Sequence, residues 1–217
     1  MSELFSIQLQ NRQQQGRDGV WLDLPTTTEQ VQAALRQIGI SSDNLQGLFI
    51  SGYFAEEEKR FAISYNMVLA SNVDELNFLA SRLETLSTGE CAELNAALQV
   101  PQSELSSIGR ITDFPENVDY YVHLPDVRGP AQLGDYYLNR SGMVDMPEEW
   151  KGGIDTAQFG RYVAQQEQGV FTQYGYLVKS GDEWQKVHEG QPVPEEYRVL
   201  SFPVPEILRD AANISNT

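Results

Sequence analysis

The side chains that most often perform catalysis are scarce in this sequence. It contains two histidines, His123 and His188, and a single cysteine, Cys91, so a Cys–His pair would have to be assembled from distant parts of the chain. Cys91 falls on the apolar face of a predicted helix, where a small buried thiol is more common than a nucleophile. The chain has no HExxH, CxxC or G-x-S-x-G motif and no glycine-rich phosphate loop. We therefore expect no catalytic residue, no metal ligand and no cofactor.

Adjacent carboxylates offer one remaining route to acid–base chemistry. They occur at Glu56–Glu57, Glu148–Glu149 and Glu195–Glu196, and a glycosidase uses two carboxylates to protonate the leaving group and to activate the attacking group. Adjacent side chains on a helix point in different directions, and a chain with 31 acids contains such pairs by chance. A hydrolase is an alternative that we keep open, whereas a protein without enzymatic activity is the expectation.

The charge balance is the unusual property of the composition. Thirty-one acids against 15 bases give a formal net charge of −16, while 41% hydrophobic residues allow a folded core. Such a charge repels nucleic acid and anionic lipid and attracts basic protein surfaces. Acidity can also serve solubility alone, so the net charge by itself does not identify a partner.

The acids are concentrated in the middle of the chain. From position 74 to position 155 there are 15 acids and five bases, a difference of −10. They are spaced singly through predicted helices and loops, so a fold can hold them at fixed positions, as a surface that imitates DNA phosphates requires. The candidate partner-binding acids are Asp74, Glu75, Glu84, Glu90, Glu93, Glu104, Asp113, Glu116, Asp119, Asp126, Asp135, Asp145, Glu148, Glu149 and Asp155.

The sequence also indicates a compartment. A single cysteine excludes an internal disulfide, the first residues lack the pattern of a signal peptide, and no run of about 18 apolar residues is present. We expect a cytoplasmic protein that contacts neither membrane nor nucleic acid directly.

Hydrophobic periodicity predicts an α+β fold in three parts. Residues 1–66 form a small α+β domain with strands at Phe5–Gln10 and Gly19–Leu24, a helix capped within Thr26–Thr28, and a third strand that includes Leu48–Ile50. Residues 67–110 form a helical middle domain, whose first helix is capped by Asn72.

Residues 111–202 are predicted to form a second α+β domain. Val118–Leu124 is its first strand, Pro130 begins one helix and Asp155 caps another. Val170–Val178 and Trp184–His188 are predicted to pair as a hairpin. Residues 203–217 are predicted to be a short helix and a frayed tail.

Several segments in this order resemble the ArdA antirestriction proteins over about residues 45–178. The most specific part is I-D-x-x-x-[FY]-G-R, which occurs here as Ile154–Arg161. The other segments are Asp74–Asn77 (DELN), Leu133–Tyr137 (LGDYY), Met146–Trp150 (MPEEW) and Gly169–Phe171 (GVF).

The resemblance implies an elongated, dimeric DNA mimic of three domains. Such a protein would inhibit type I restriction–modification enzymes by filling the DNA groove of their methyltransferase and specificity subunits, and would protect DNA that enters with a conjugative element. A homodimer through the tyrosine-rich C-terminal part is a further implication. The chain departs from the family's shorter members by an extension past Val178 and by its 15 bases. An acidic adaptor or regulator that binds another basic protein is the alternative.

Overall fold

The computed structural model describes residues 4–14, 18–56, 61–101 and 103–200. The architecture mixes helices with two small antiparallel sheets, which agrees with the predicted α+β class. The strands are β1 (Phe5–Asn11), β2 (Val20–Leu24), β3 (Leu48–Phe54), β4 (Tyr121–Leu124), β5 (Val170–Thr172) and β6 (Gly175–Lys179). The helices are α1 (Thr28–Gln37), α2 (Tyr65–Ala70), α3 (Val73–Leu83), α4 (Thr88–Leu98), α5 (Ile108–Thr112), α6 (Pro130–Asp135), α7 (Glu148–Lys151) and α8 (Thr156–Glu167).

The chain packs as two compact units. Unit 1 comprises residues 1–60, 65–81 and 193–217, and unit 2 comprises residues 61–64 and 82–192. The division into three parts at positions 66, 110 and 202 stays a prediction. The predicted C-terminal helix and tail, residues 203–217, lie outside the described residues.

Unit 1 is built on a three-stranded sheet in the order β2-β1-β3. The alternation predicted for the first strand is confirmed, because Phe5, Ile7 and Leu9 of β1 are buried and the residues between them are partly exposed. The helix α1 begins after Thr27, whose side chain forms a capping box with Gln30, so the predicted cap is also confirmed. This arrangement satisfies backbone N–H groups at the helix start that would otherwise lack acceptors.

The buried side chain of Asn77, on α3, joins three segments of unit 1. Its Oδ1 accepts a hydrogen bond from the backbone N–H of Thr26 at 2.8 Å, and its Nδ2 donates to the carbonyl of Tyr197 at 3.0 Å. The next residue, Phe78, packs on the Tyr197 ring with a centroid distance of 4.7 Å. The segment around Tyr197 is therefore held in this core by both polar and aromatic contacts.

Unit 2 contains the second sheet, in the order β4-β6-β5, and the close pair α6 and α8. Glycines allow the backbones of these two helices to touch. A Cβ on Gly160 would lie 1.8 Å from the carbonyl oxygen of Pro130, and a Cβ on Gly134 would lie 1.9 Å from that of Thr156. Contacts this short exclude any side chain at either position.

The predicted hairpin of Val170–Val178 with Trp184–His188 is wrong. The hairpin of unit 2 is β5–β6, with its turn between Thr172 and Gly175, and β6 also pairs with β4. The segment Trp184–His188 forms no strand. Its backbone bonds instead to side chains, because the Oδ1 of Asn117 accepts from the N–H of Gln185 at 2.7 Å. The strand predicted at Val118–Leu124 is present in part, since β4 begins at Tyr121.

Candidate acidic binding surface

The 15 acids predicted to bind a partner have different environments, and one of them is fully buried. Asp113 follows α5 and is 0% exposed. Its carboxylate accepts hydrogen bonds from the backbone N–H groups of His188 at 2.6 Å and Glu189 at 3.3 Å. Asp113 therefore fastens the segment that follows β6 to the core of unit 2, and it does not present a charge to solvent.

Asp74 has a comparable role in unit 1. Its Oδ1 accepts hydrogen bonds from the backbone N–H groups of Val199 at 2.8 Å and Leu200 at 2.7 Å. The side chain is half-buried. Together with Asn77, it explains why the segment near residue 199 packs on α3.

Three further acids serve the starts of helices. Glu75 accepts from the backbone N–H of Asn72 at 3.3 Å, and Glu90 accepts from that of Ser87 at 2.7 Å. Asp155 accepts from the N–H groups of the first two residues after Thr156 at 2.9 and 3.0 Å. The bonds from Ser87 also lower the pKa of Glu90. The caps that the sequence predicted at Asn72 and Asp155 are confirmed.

Glu104 is part of an ion-pair network. It lies 2.8 Å from the Nη1 of Arg110, whose Nε bonds to Glu189 at 2.7 Å. The hydrogen bond and charge of Arg110 lower the pKa of Glu189. Glu104 also accepts from the Tyr120 hydroxyl at 3.3 Å and lies 3.4 Å from the Nζ of Lys179. Neighbouring bases therefore offset the charge of Glu104.

Three other acids also have basic partners within the described part of unit 2. These ion pairs are Arg82–Glu116, Arg140–Asp135 at 3.2 Å and Lys151–Glu148 at 2.6 Å. The Glu148 side chain nevertheless stays 82% exposed, whereas the side chain of its partner Lys151 is only 15% exposed.

Glu93 lies on the inner side of α4. Burial, together with the nearby charges of Glu90 and Asp119, raises its pKa to about 7. Its Oε1 is buried, and no residue in the described part of the chain forms a hydrogen bond with it. Glu93 is therefore a partly protonated group at neutral pH and a poor imitation of a phosphate, which stays ionised.

The remaining candidates face solvent. Exposed carboxylates without a side-chain hydrogen bond or ion pair to another described residue are Asp119, Asp126, Asp145 and Glu149. Glu84 is also exposed. These residues, together with Glu148, form the group that a basic partner can reach, and we call them the exposed acids.

Two acids that the sequence analysis omitted enlarge this group. Asp182 and Glu183 line a cleft of about 390 Å³ together with Glu116, Asp119 and Tyr120. They follow position 155, where the densest stretch of acids ends, so the charge count did not include them. The sequence contained a usable signal, because Ser180–Glu183 combines a turn with adjacent acids. The cleft can admit a cationic side chain.

The comparison with known families decides the classification. The family model described as antirestriction protein (ArdA) matches residues 15–178. The chain is a member of the ArdA family. The match ends where the extension past Val178 begins, and no curated protein matches the chain. The family supports an antirestriction function and an interaction with restriction–modification enzymes.

The structure explains the most specific ArdA segment, Ile154–Arg161, by folding. Asp155 caps α8, and Gly160 allows α8 to contact α6. Tyr137 and Tyr176 then both donate hydrogen bonds to Glu167 near the end of α8. This segment organises the core of unit 2, whereas the exposed acids lie on the loops and short helices around it.

Metal binding and membrane insertion find no support in the described residues. Within residues 4–14, 18–56, 61–101 and 103–200, no group of three or more His, Cys, Asp or Glu residues is placed to hold a metal ion. Among these residues there is also no helix with the length and apolar character needed to cross a bilayer.

Proposed function

We propose that this ArdA protein is a mimic of B-DNA that binds the DNA groove of type I restriction–modification enzymes. It acts without catalysis, as a cytoplasmic homodimer, and protects the DNA of an incoming mobile element. The observation that carries the proposal is the set of exposed acids, whose side chains reach solvent, where the Lys and Arg residues that normally contact phosphates can meet them.

The charge of unit 2 supports the proposal in more detail. Unit 2 has 17 acids and eight bases, a net charge of −9. Several bases are engaged within the unit, as Arg82, Arg110 and Lys151 are. A groove that is shaped for DNA carries an excess of positive charge, so both surfaces gain by releasing their counterions when they meet.

The experiment is a competition between this protein and fluorescent DNA for a purified type I methyltransferase. We expect displacement of the DNA, with an apparent affinity that falls by at least about tenfold between 50 and 200 mM salt. Replacing Asp119, Asp126, Asp145 and Glu149 by their amides should weaken displacement by about tenfold or more, since each lost contact costs up to about 1 kcal/mol.

A matched control separates position from net charge. The amide replacements of Asp18, Asp43, Glu195 and Glu196 remove the same four charges from exposed positions of unit 1. We expect this variant to displace DNA almost as well as the wild type. Equal losses in both variants would show that only net charge matters and would contradict a positioned mimic. Failure of the wild type to displace DNA or to block cutting would contradict the proposed function.

A further inference from the structure

Trp150, on α7, is the most exposed aromatic side chain among the large hydrophobic residues that the structure describes as exposed, at 66%. An indole left in water in a folded protein is a frequent centre of protein–protein contacts. A phosphate backbone has no counterpart of such a ring. Mimicry of DNA charge therefore does not explain Trp150.

The surroundings of Trp150 on α7 are acidic. Glu148 and Glu149 precede it within the same helical turn and are exposed, and Asp145 is exposed in the preceding loop. The only base of α7, Lys151, is 15% exposed and is paired with Glu148. The surface of α7 that faces solvent thus combines carboxylates with one aromatic ring.

Other aromatic rings of the chain already have a cation of the protein beside them. The guanidinium of Arg140 lies 5.8 Å from the centroid of the Tyr136 ring, and the Nζ of Lys179 lies 5.5 Å from that of Tyr120. The guanidinium of Arg12 lies 5.4 Å from the centroid of the Phe49 ring. No such contact occurs between Trp150 and a cation of the described residues.

We propose that α7 is a docking surface for an arginine of the partner protein. The guanidinium stacks on the Trp150 indole, and the exposed carboxylates of Asp145, Glu148 and Glu149 attract its charge to this surface. Guanidinium is the cation that suits an exposed indole in acidic surroundings, because it is planar, weakly hydrated and stacks on aromatic faces. An ammonium group would meet the carboxylates equally well but would gain less from the indole.

This inference deepens the proposed function, on which it rests for the identity of the partner. It names the residue type that α7 selects in the basic DNA groove. DNA-binding grooves contain arginines that contact phosphates and bases, so the required chemistry is present in the proposed partner.

The first test uses substitutions at position 150 in the DNA-displacement assay. Trp150→Leu keeps an apolar side chain but removes the π face, and Trp150→Phe keeps a smaller π face. We expect displacement about tenfold weaker for Trp150→Leu and about threefold weaker for Trp150→Phe. The slope of affinity against salt should stay that of the wild type in both, whereas Glu149→Gln should reduce it.

Trp21→Leu is the matched control. Trp21 is 50% exposed, lies in unit 1 and stacks edge-to-face on Phe54. The Trp21→Leu variant should displace DNA as well as the wild type does. If Trp150→Leu bound as well as Trp150→Phe, the ring would act as an apolar contact only, and the arginine site would be overturned.

The second test does not depend on a restriction enzyme. Labelled nona-arginine and nona-lysine are titrated with the full-length protein, and their anisotropy is followed. We expect nona-arginine to bind more tightly, and Trp150→Leu to remove most of that difference while leaving nona-lysine unaffected. Equal binding of the two peptides to the wild type would overturn the inference. Discrimination between the peptides without displacement of DNA would support the arginine site and contradict the proposed enzyme partner.

Discussion

The neighbouring helices α7 and α8 begin in different ways, and their acids consequently have different environments. At α8 the residue before the helix is Asp155, whose carboxylate accepts two backbone N–H groups of the first turn. At α7 that position is Pro147, which makes no side-chain cap. Glu148 and Glu149 then lie inside the helix with their carboxylates exposed. At these two helix starts, the acid before α8 stabilises the fold, whereas the two acids inside α7 stay exposed to a partner.

The glycines of the two regions differ in the same way. Gly160 in α8 lies against the backbone of Pro130, and Gly152 after α7 has no atom within 4 Å of the position that a Cβ would occupy. At Gly160 the backbones of two helices are in contact, whereas the space beside Gly152 is open. Residues that stabilise unit 2 are thus separate from residues that can bind a partner, and four pairs of substitutions test this difference.

The largest expected effect is that of Gly160→Ala. The added Cβ would meet the Pro130 carbonyl oxygen at 1.8 Å, so α6 and α8 must separate, at a cost of about 3 kcal/mol or more in the free energy of unfolding. Urea unfolding followed by circular dichroism measures this loss. Gly152→Ala is the control and should change stability by less than about 0.5 kcal/mol, because Gly152 has helical dihedral angles with φ −65°. Equal midpoints for the two variants would disprove the close packing.

Asp113→Ala should have the next largest effect. It leaves the partly buried N–H groups of His188 and Glu189 without their acceptor, which costs about 2–3 kcal/mol. The exposed Asp119 provides the control, since Asp119→Ala should leave stability within about 0.5 kcal/mol of the wild type and weaken binding instead. An Asp113→Ala variant that is as stable as the wild type but binds more weakly would show that Asp113 acts in binding and not in folding.

Asp155→Ala removes a helix cap, so the free energy of unfolding should fall by about 1 kcal/mol. Glu149→Ala on α7 removes an exposed carboxylate and should leave thermal unfolding almost unchanged. The two melting curves, recorded side by side, test whether the start of the helix decides the role of the acid. A larger loss in Glu149→Ala would contradict this explanation.

The smallest expected effect is a pH-dependent change in stability that arises from Glu93. The folded-state pKa of Glu93 is raised to about 7 from an ordinary value of 4.5, so the folded state loses stability relative to the unfolded state as the pH rises between these values. Since Glu93 is partly exposed, solvent screening limits the loss to about 1 kcal/mol. Glu93→Gln should therefore raise the melting temperature at pH 8 and have less effect at pH 4.

Glu90 on the same helix provides a control of opposite sign. Its pKa is lowered by the bonds from Ser87, so its contribution is present above the unfolded pKa and is lost as the pH falls. Glu90→Gln should accordingly lower the melting temperature at pH 8. If both variants shifted stability in the same direction at pH 8, the burial of Glu93 would not be the cause.

Much of the local structure followed from the sequence. The alternation of Phe5, Ile7 and Leu9 indicated a half-buried strand, and the caps at Asn72 and Asp155 were recognisable because a capping side chain bonds within three residues of itself. The strand predicted at Trp184–His188 was wrong because its hydrogen bonds depend on residues that are distant in the sequence. Its alternation was local, but Asn117 and Asp113, which lie about 70 positions earlier, occupied its backbone N–H groups.

The sequence by itself determined the net charge, the central concentration of acids, the family and the starts of the four helices α1, α3, α6 and α8. These properties depend on composition or on neighbours along the chain. Only the tertiary structure decided which acids remain exposed. Asp113 and Asp119 are six positions apart and chemically identical, yet one is buried against His188 and Glu189 while the other faces solvent. Burial depends on contacts between distant segments, and no local pattern encodes them.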